Sequence, residues 1–470
     1  MIRLTEIKLP LDHLEEDLKA AILKKLKIAA DGLIEYTVFK RSVDARKKNR
    51  ITLIYTLDVK AHAEEAILGS FKRDPHIQRT PDMTYHFVTK APATLSSRPI
   101  VIGAGPCGLF AALVLAETGF RPIVLERGKS VRARTVDTFG FWRKRNLNPE
   151  SNVQFGEGGA GTFSDGKLYS QIKDPAYRAR KVLMALVKAG APPEILYVSK
   201  PHIGTLKLVG IVEKLRANIT ALGGEIRFQS RVETLDIDGG AVQGVTLEGG
   251  EKIQSRHVIL AIGHSARDTF QMLLKRGVFI ESKPFSIGLR IEHPQSLIDR
   301  CRFGEYAGHP LLGAADYKLV HHCKNGRSVY SFCMCPGGTV VAAASETGGV
   351  VTNGMSQYSR HERNANSGIV VGVTPADYPE GPLAGIDFQR RWERRAFELG
   401  GKTYDAPGQR VGDFLKNQPT KAFGAVRPSY TPGVYPADLS QSLPDFAVEA
   451  IREALPVFDQ KIKGFAMDDA

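Results

Sequence analysis

The sequence has no long apolar run: the longest, Leu109 to Ala116, is eight residues, whereas a bilayer-spanning helix needs about 18. It has no secretory leader pattern either, because MIRLTEIKLPLDHL carries charges where a leader needs an apolar stretch. No membrane partner is expected, and the expected compartment is the cytoplasm. Cysteine is scarce and odd in number: Cys107, Cys301, Cys323, Cys333 and Cys335. That excludes a secreted disulfide framework, and no paired CxxC is present to hold zinc. Internal repeats and low-complexity tracts are missing as well. Acidic residues are in the minority, 50 against 64 Lys and Arg, for a net charge of +14. The excess would attract phosphates, nucleotides or RNA, and it is equally compatible with an anionic cofactor.

A chain of 470 residues suits two or three domains. Residues 1–90 read as a small α+β domain. A strand at Ile2–Leu9 precedes a helix with Leu14, Leu18, Ile22 and Leu26 on one face and Asp12 and Glu15 at its start. The β-branched runs TVFKRSVDA and ITLIYTLDV follow, separated by the basic turn Arg46–Arg50. A short helix at Ala61–Leu68 and a strand at Tyr85–Val88 complete a βαββαβ order, which predicts a ferredoxin-like sandwich. Residues 91–99, APATLSSRP, read as a linker.

From Ile100 the pattern changes to strand, glycine turn, helix and strand. In VIGAGPCG, Gly103 permits a tight turn, Gly105 lets backbone approach a pyrophosphate, and Gly108 lets helix and strand pack closely. Pro106 suits the first helical position, whose N–H has no partner, and the helix end that also carries Cys107 would face the phosphates. The strand PIVL then delivers Glu126, 21 residues past Gly105 and followed by Arg127, where a carboxylate can bind ribose hydroxyls. These elements in register predict a Rossmann-like dinucleotide-binding domain over residues 100–279. A second glycine-rich loop, FGEGGAGTFSDGKL, follows. An NAD domain has no use for it, but a ribityl chain and an isoalloxazine ring need the close approach that Gly158, Gly159 and Gly161 allow beside Thr162 and Ser164. FAD is the expected cofactor.

Further along, short strands with Gly239-Gly240 and Gly249-Gly250 as hairpin turns lead to HVILAIG. Here the sequence resembles the glutathione-reductase-like flavoproteins with two dinucleotide-binding domains. The resemblance implies that Ala261 and Gly263 form a turn beside FAD and that Val232, in the first meander strand, contacts adenine through its backbone. GAGPCG, LERG, FGEGGAGTFSDGKL, AIGHSARD and YSFCMCPGGTVV together are similar to a family of bacterial FAD-dependent dehydrogenases with a small N-terminal domain. Residues 280–440, rich in short strands, turns and prolines, read as a β-rich inserted substrate or cap domain with one helix around Phe388–Leu399. Residues 441–470 read as a C-terminal helix. The closing FAD segment of such proteins, a strand ending in a Gly-Asp turn, is expected to be missing. Val411-Gly412-Asp413-Phe414 has the letters but no apolar strand before it.

A second GxGxxG loop is absent, so NAD(P)H, if used, would bind transiently at the flavin face. Cys333 and Cys335 alternate with Met334 and are expected on one face of a strand, in a hairpin turned by PGG. They could pass electrons to flavin or simply fill a β core. His264, after the AIG turn, could donate a proton, and Lys167 could balance charge on reduced flavin. His321, His322 and Cys323 are not expected to share a metal, because adjacent strand residues face opposite ways. Arg360-His361-Glu362-Arg363 fits a solvated surface run better than an anion site. The leading expectation is an FAD-dependent oxidoreductase acting on a small molecule. Alternatives are a flavoprotein acting on RNA, through Tyr36, Phe39, Tyr55 and the basic hairpin Lys40–Arg50, or a flavin-bound scaffold.

Overall fold

The computed structural model describes residues 1–170 and 172–470, which divide into two compact units. The first unit gathers residues 1–86, 167–203 and 299–315. Its strands are β1 (Ile2–Pro10), β2 (Leu33–Asp44), β3 (Thr52–Ala61) and β4 (Ile77–Arg79), with helices α1 (Glu15–Leu26) and α2 (Glu64–Ser70) between them. The sheet order is β2-β3-β1-β4, and every pairing is antiparallel. The last strand lies earlier than the sequence suggests: Ile77 pairs with Leu4, whereas Tyr85–Val88 forms no strand. Val88, 98% exposed, has no core to enter.

Helix α1 buries Leu18, Ile22 and Leu26 on the sheet, each contributing about 1.5–3 kcal/mol by burial. Leu14 is not on that face; it is the N-cap, and its N–H donates to Asp17 at 2.8 Å. Within the sheet Arg3 forms a buried two-point pair with Asp58, both contacts 2.8 Å. The aromatic residues considered for base stacking are engaged here. Tyr55 is buried in the core, and the Phe39 ring lies beneath the guanidinium groups of Arg3 and Arg180, at 3.7 and 5.4 Å.

The second unit holds residues 87–166, 204–298 and 316–470. Strand β5 (Ile100–Ile102), helix α3 (Pro106–Glu117), β6 (Ile123–Leu125) and helix α4 (Val131–Lys144) open it. The next helix in the chain, α5 (Arg178–Lys188), is part of the first unit. Then come α6 (Thr205–Ala221), β7 (Glu225–Arg227), the meander β8 (Val232–Asp238), β9 (Ala241–Leu247) and β10 (Lys252–Gln254), β11 (Val258–Leu260), and α7 (Arg267–Lys275). A parallel sheet runs in the order β11-β5-β6-β7. Strands β11, β5 and β6 are wholly apolar and mostly β-branched, as parallel strands covered on both faces require, while the edge strand β7 carries Glu225 and Arg227. The meander turns at Gly239-Gly240 and Gly249-Gly250, all four glycines having positive φ.

The rest of the unit is built on a four-stranded antiparallel sheet, β12-β17-β14-β13. Its strands are β12 (Phe285–Pro294), followed by α8 (Gln295–Phe303), then β13 (Val320–His322), β14 (Ser328–Cys335) and β17 (Asn364–Val373). The PGG turn does not close a hairpin onto β14. Strand β15 (Gly338–Ala342) pairs instead with β16 (Thr352–Ser356) in a separate ribbon. Helix α9 (Ala384–Leu399), a parallel pair of β18 (Ala406–Gly408) and β19 (Val434–Pro436), and the short α10 (Val411–Leu415) follow. The Val411-Gly412-Asp413-Phe414 letters thus open a helix just after a three-residue strand. Helix α11 (Asp445–Lys461) packs Ala447, Ile451, Leu455 and Phe458 against Ile369 and Val371 of the sheet. No helix of the described residues is long and apolar enough to cross a membrane.

The units cut differently from the sequence boundaries. Residues 167–203, read as flavin domain, and 299–315, read as cap, both belong to the first unit, while residues 204–298 and 316–470 share one unit.

Candidate cofactor and substrate site

Strand β5 ends at Ile102 and α3 begins at Pro106, with Gly105 as its N-cap. Gly103 has φ +102°, and a Cβ there would stand 2.4 Å from the Ala261 carbonyl oxygen. A Cβ on Gly108 would stand 1.8 Å from the Gly103 carbonyl oxygen. Both glycines are demanded by the protein's own packing. Gly105 is different. Its φ of −71° and ψ of −177° suit any residue, and its Cβ would meet nothing nearer than the Gly159 Cα at 3.8 Å. Nothing in the chain requires glycine there, so the open space fits a phosphate approaching the N–H groups at the start of α3. Pro106 and Cys107 are exposed beside it. Cys107 thus stands open at the helix end that would face the phosphates.

Glu126, at the end of β6, is 5% exposed. Its Oε2 accepts from Ala104 N at 2.7 Å, and its Oε1 accepts from Gly128 N and Gly156 N, each at 2.9 Å. Oε2 retains an acceptor position for a ribose hydroxyl. Arg127, which follows Glu126 and is expected beside the cofactor, is engaged by acidic side chains of the chain itself. It bonds Glu150 at 2.8 Å and Asp268 at 2.9 Å and covers the Phe155 ring at 4.3 Å. Val232 is buried at the start of β8.

The second glycine loop is wrapped around a side chain that the sequence reading passed over. Arg134, on α4, is fully buried and donates to the carbonyls of Asn152, Val153, Gly156 and Glu157 at 2.6–3.2 Å. Burial pulls its pKa down to about 10, yet it stays charged at neutral pH, with Glu126 and Glu157 favouring the cation. The sequence signal is its place on a buried helix face with Val131, Thr138 and Phe141. Glu157 is buried too, its Oε2 receiving Val131 N and Arg216, and burial pushes its pKa up.

A Cβ on Gly158 would meet the Thr162 hydroxyl at 2.1 Å, and one on Gly159 would meet the Gly105 Cα at 2.9 Å. Loop and turn are thus in direct contact, while Gly161 needs no glycine for its own packing, its Cβ meeting Pro106 Cγ at 3.4 Å. The Thr162 hydroxyl is buried without a hydrogen-bond partner among the described residues. Ser164 donates to the Gly161 carbonyl at 2.7 Å, closing the loop. An orphaned hydroxyl and two glycines that packing does not demand fit a bound flavin nucleotide.

Next to this cradle lies the Ala261–Gly263 turn. Gly263 has φ +69° and is exposed. His264 follows it and lines a cavity of about 530 Å³, shared with Arg267, Arg290, Val340, Trp392 and Tyr430. The His264 ring keeps solvent contact along this cavity. The surrounding protein, and after it the Arg267 charge, hold its pKa below the ordinary imidazole value. Arg267 is itself neutralised, bonding Glu346 at 2.9 Å and Glu393 at 2.6 Å.

Other expected site residues fall differently. Lys167 belongs to the first unit, where its backbone bridges His202. Cys333 and Cys335 do not share a face. Phe332 pairs with Gly368 but Cys335 with Asn366, so one extra residue bulges the strand. Cys333, at φ +44°, is exposed and Cys335 is buried. Arg360 is no surface residue either; it pairs with the buried Asp165 of the glycine loop at 2.9 Å. Alternation does separate His322, but His321 and Cys323 lie on one side with Glu453, one ligand atom from each within 4.8 Å. These three are engaged with the protein: His321 Nε2 lies 3.0 Å from Glu453 Oε1, and the Cys323 thiol donates to the Ala450 carbonyl.

Comparison with known proteins agrees with the cofactor. Residues 284–470 match the family model described as FAD-dependent protein, C-terminal domain-like, and residues 1–60 match a domain of unknown function. The cofactor is FAD. Among solved structures, the chain is similar to the GidA-related protein from Thermus thermophilus (14% identity, 42% of this chain and 73% of that one, TM-score 0.24). It is also similar to THI4 of Thermovibrio ammonificans (16%, 40% and 67%, TM-score 0.28). Scores this low add nothing to the fold described above. A Clostridium beijerinckii protein, named only as uncharacterized, is 46% identical over 471 residues, covering 100% of this chain and 88% of its own. The chain therefore belongs to the family of that Clostridium protein, a family of FAD-dependent flavoproteins.

Proposed function

We propose that the chain is an FAD-dependent oxidoreductase whose small-molecule substrate occupies the cavity lined by His264. One observation carries the reading. The segment Ala261–His264 serves both places, its first carbonyl lying against Gly103 in the dinucleotide turn and its last side chain lining the cavity. FAD, when bound, supplies a two-electron centre that exchanges hydride at flavin N5.

The residues have separable tasks. The amides at the start of α3 orient the diphosphate, and Gly105 leaves it room. Glu126 Oε2 receives a ribose hydroxyl, and the backbone at Val232 meets adenine. Gly159, Gly161 and Thr162 line the path of the ribityl chain. His264, neutral at pH 7 because its pKa is lowered, takes the substrate's proton at an imidazole nitrogen.

Anaerobic titration of the purified protein with NADH and NADPH tests the proposal. We expect stoichiometric FAD whose visible absorbance is lost on adding one of the two. Protein that takes up no FAD refutes the reading. FAD that neither nicotinamide reduces supports a flavin-bound scaffold instead.

A further inference from the structure

The charged groups lining the cavity divide by how they are neutralised. Arg267 is paired with Glu346 and Glu393, Glu346 also takes Arg390, and Asp469 takes Arg410. Glu292 is turned to Ser429 and Asn364, which donate to it. Arg290 is the exception. This cavity-lining guanidinium lies on β12, and no carboxylate is within ion-pair distance of it among the described residues. Its bonds go to neutral acceptors: Nε to the Asn366 side-chain oxygen at 2.8 Å, and Nη2 to the Cys333 carbonyl at 2.9 Å and the Cys335 sulfur at 3.8 Å.

These bonds fix the group rather than neutralise it. Asn366 is fully buried in the central strand β17, and the β14 bulge turns the Cys333 carbonyl toward Arg290. Nε and Nη2 are thereby held, and Nη1, with two N–H donors, has no partner among the described residues. A half-buried guanidinium held rigid, with Nη1 free and no counter-ion, is suited to receive a carboxylate oxygen. The remaining lining, including Val340, Val351, Phe423 and Tyr430, suits an apolar body behind that group.

We infer that Arg290 anchors the carboxylate of the substrate, and that the substrate class is a small carboxylic acid with an apolar body. This rests on the reading of the cavity as the substrate site. Glu292, two residues along β12, would repel a misplaced carboxylate and so helps fix which end of the substrate enters.

Calorimetric titration of the FAD-loaded full chain tests it, with benzoate and octanoate each compared with its neutral amide, and with phenyl phosphate. We expect at least one acid to bind at least about tenfold more tightly than its amide. In R290Q that preference falls to near unity while FAD content and the flavin spectrum stay unchanged; R290K retains part of it. Acids and amides binding equally, neither binding, or a preference that survives R290Q overturns the inference. So does phenyl phosphate binding more tightly than either acid, which assigns a phosphate ligand. Loss of FAD in R290Q also overturns it, by placing Arg290 in the cofactor site. If the unaltered chain takes up no FAD, the oxidoreductase reading fails separately, and the acid-over-amide preference is still readable in the flavin-free protein.

Discussion

Asp165 and Arg360 form a buried two-point ion pair across 195 positions of sequence, Nε to Oδ1 at 2.9 Å, with the Asp165 side chain 2% exposed. The pair joins the end of the second glycine loop to the segment before β17. Arg360 stands at φ +52°, and its carbonyl closes against Gly337, where a Cβ would lie 1.7 Å away. The loop that lines the flavin cradle is thus tied to the sheet that carries Arg290.

Neutralising Asp165 leaves the largely buried Arg360 guanidinium without its ion-pair partner. D165N is expected to destabilise the chain by about 3–5 kcal/mol. The double variant D165N/R360Q should recover part of that loss, because no bare guanidinium remains. Denaturant unfolding of the two variants checks this. A single-variant loss below about 1 kcal/mol would show that the pair does not hold the loop.

The two kinds of glycine in the dinucleotide turn give opposite expectations. G108A forces a Cβ onto the Gly103 carbonyl and should disrupt the turn itself, lowering the melting temperature. G105A fits the flavin-free chain, so its stability should change by no more than about 0.5 kcal/mol. Its FAD affinity should nevertheless fall at least about tenfold, or about 1.4 kcal/mol. Thermal melts with and without added FAD separate the two, and an unchanged FAD affinity in G105A would remove the argument that its space is kept for phosphate.

How much of this could be read from sequence follows the range of the interaction. The β5–α3 turn, Glu126 and the two glycine hairpins of the meander are local patterns, and the structure has them where the spacing puts them. Cys333 and Cys335 are a failure of the same reasoning. Alternation holds only while both strands advance together, and the bulge opposite Gly368 and Asn366 is a property of the pair, not of YSFCMC. Strand β15 likewise looks like the second arm of a PGG hairpin, yet its partner is β16, ten residues downstream of its end. Arg360 reads as surface because its neighbours are charged, and only the fold shows Asp165 beneath it. Arg134 was the legible omission, a cation at a core position of an otherwise ordinary helix.

Acid should weaken the fold through His293. The ring is buried, its Nε2 bonds the Phe465 carbonyl at 2.7 Å, and it packs on the Phe465 ring at 4.4 Å. Burial lowers its pKa to about 4 from 6.5. The unfolded chain therefore binds a proton between those values while the folded chain does not. Stability then falls as pH drops from about 6.5 to about 4, by up to about 1.4 kcal/mol per pH unit. Unfolding free energies measured over that window should show this slope, and H293Q should flatten it. An equal slope in both proteins would assign the acid sensitivity to other groups.

Arg134 gives the sharpest test of how the second glycine loop is held. Its planar fork reaches four carbonyls of residues 152–157 at once, and its side chain covers the Phe163 ring at 4.9 Å. Lysine carries the same charge on a single point with three donors and cannot span that set. R134K is therefore expected to cost about 3 kcal/mol or more, since at least one carbonyl and part of a buried cation lose their partners. The effect should be local before it is global, because the loop's other tie, Asp165 to Arg360, lies at its far end. Hydrogen exchange at the amides of residues 153–163 should accelerate in R134K under conditions where those of β12 and β17 remain protected. Uniform acceleration through both sheets would mean that Arg134 supports the whole unit and not the loop.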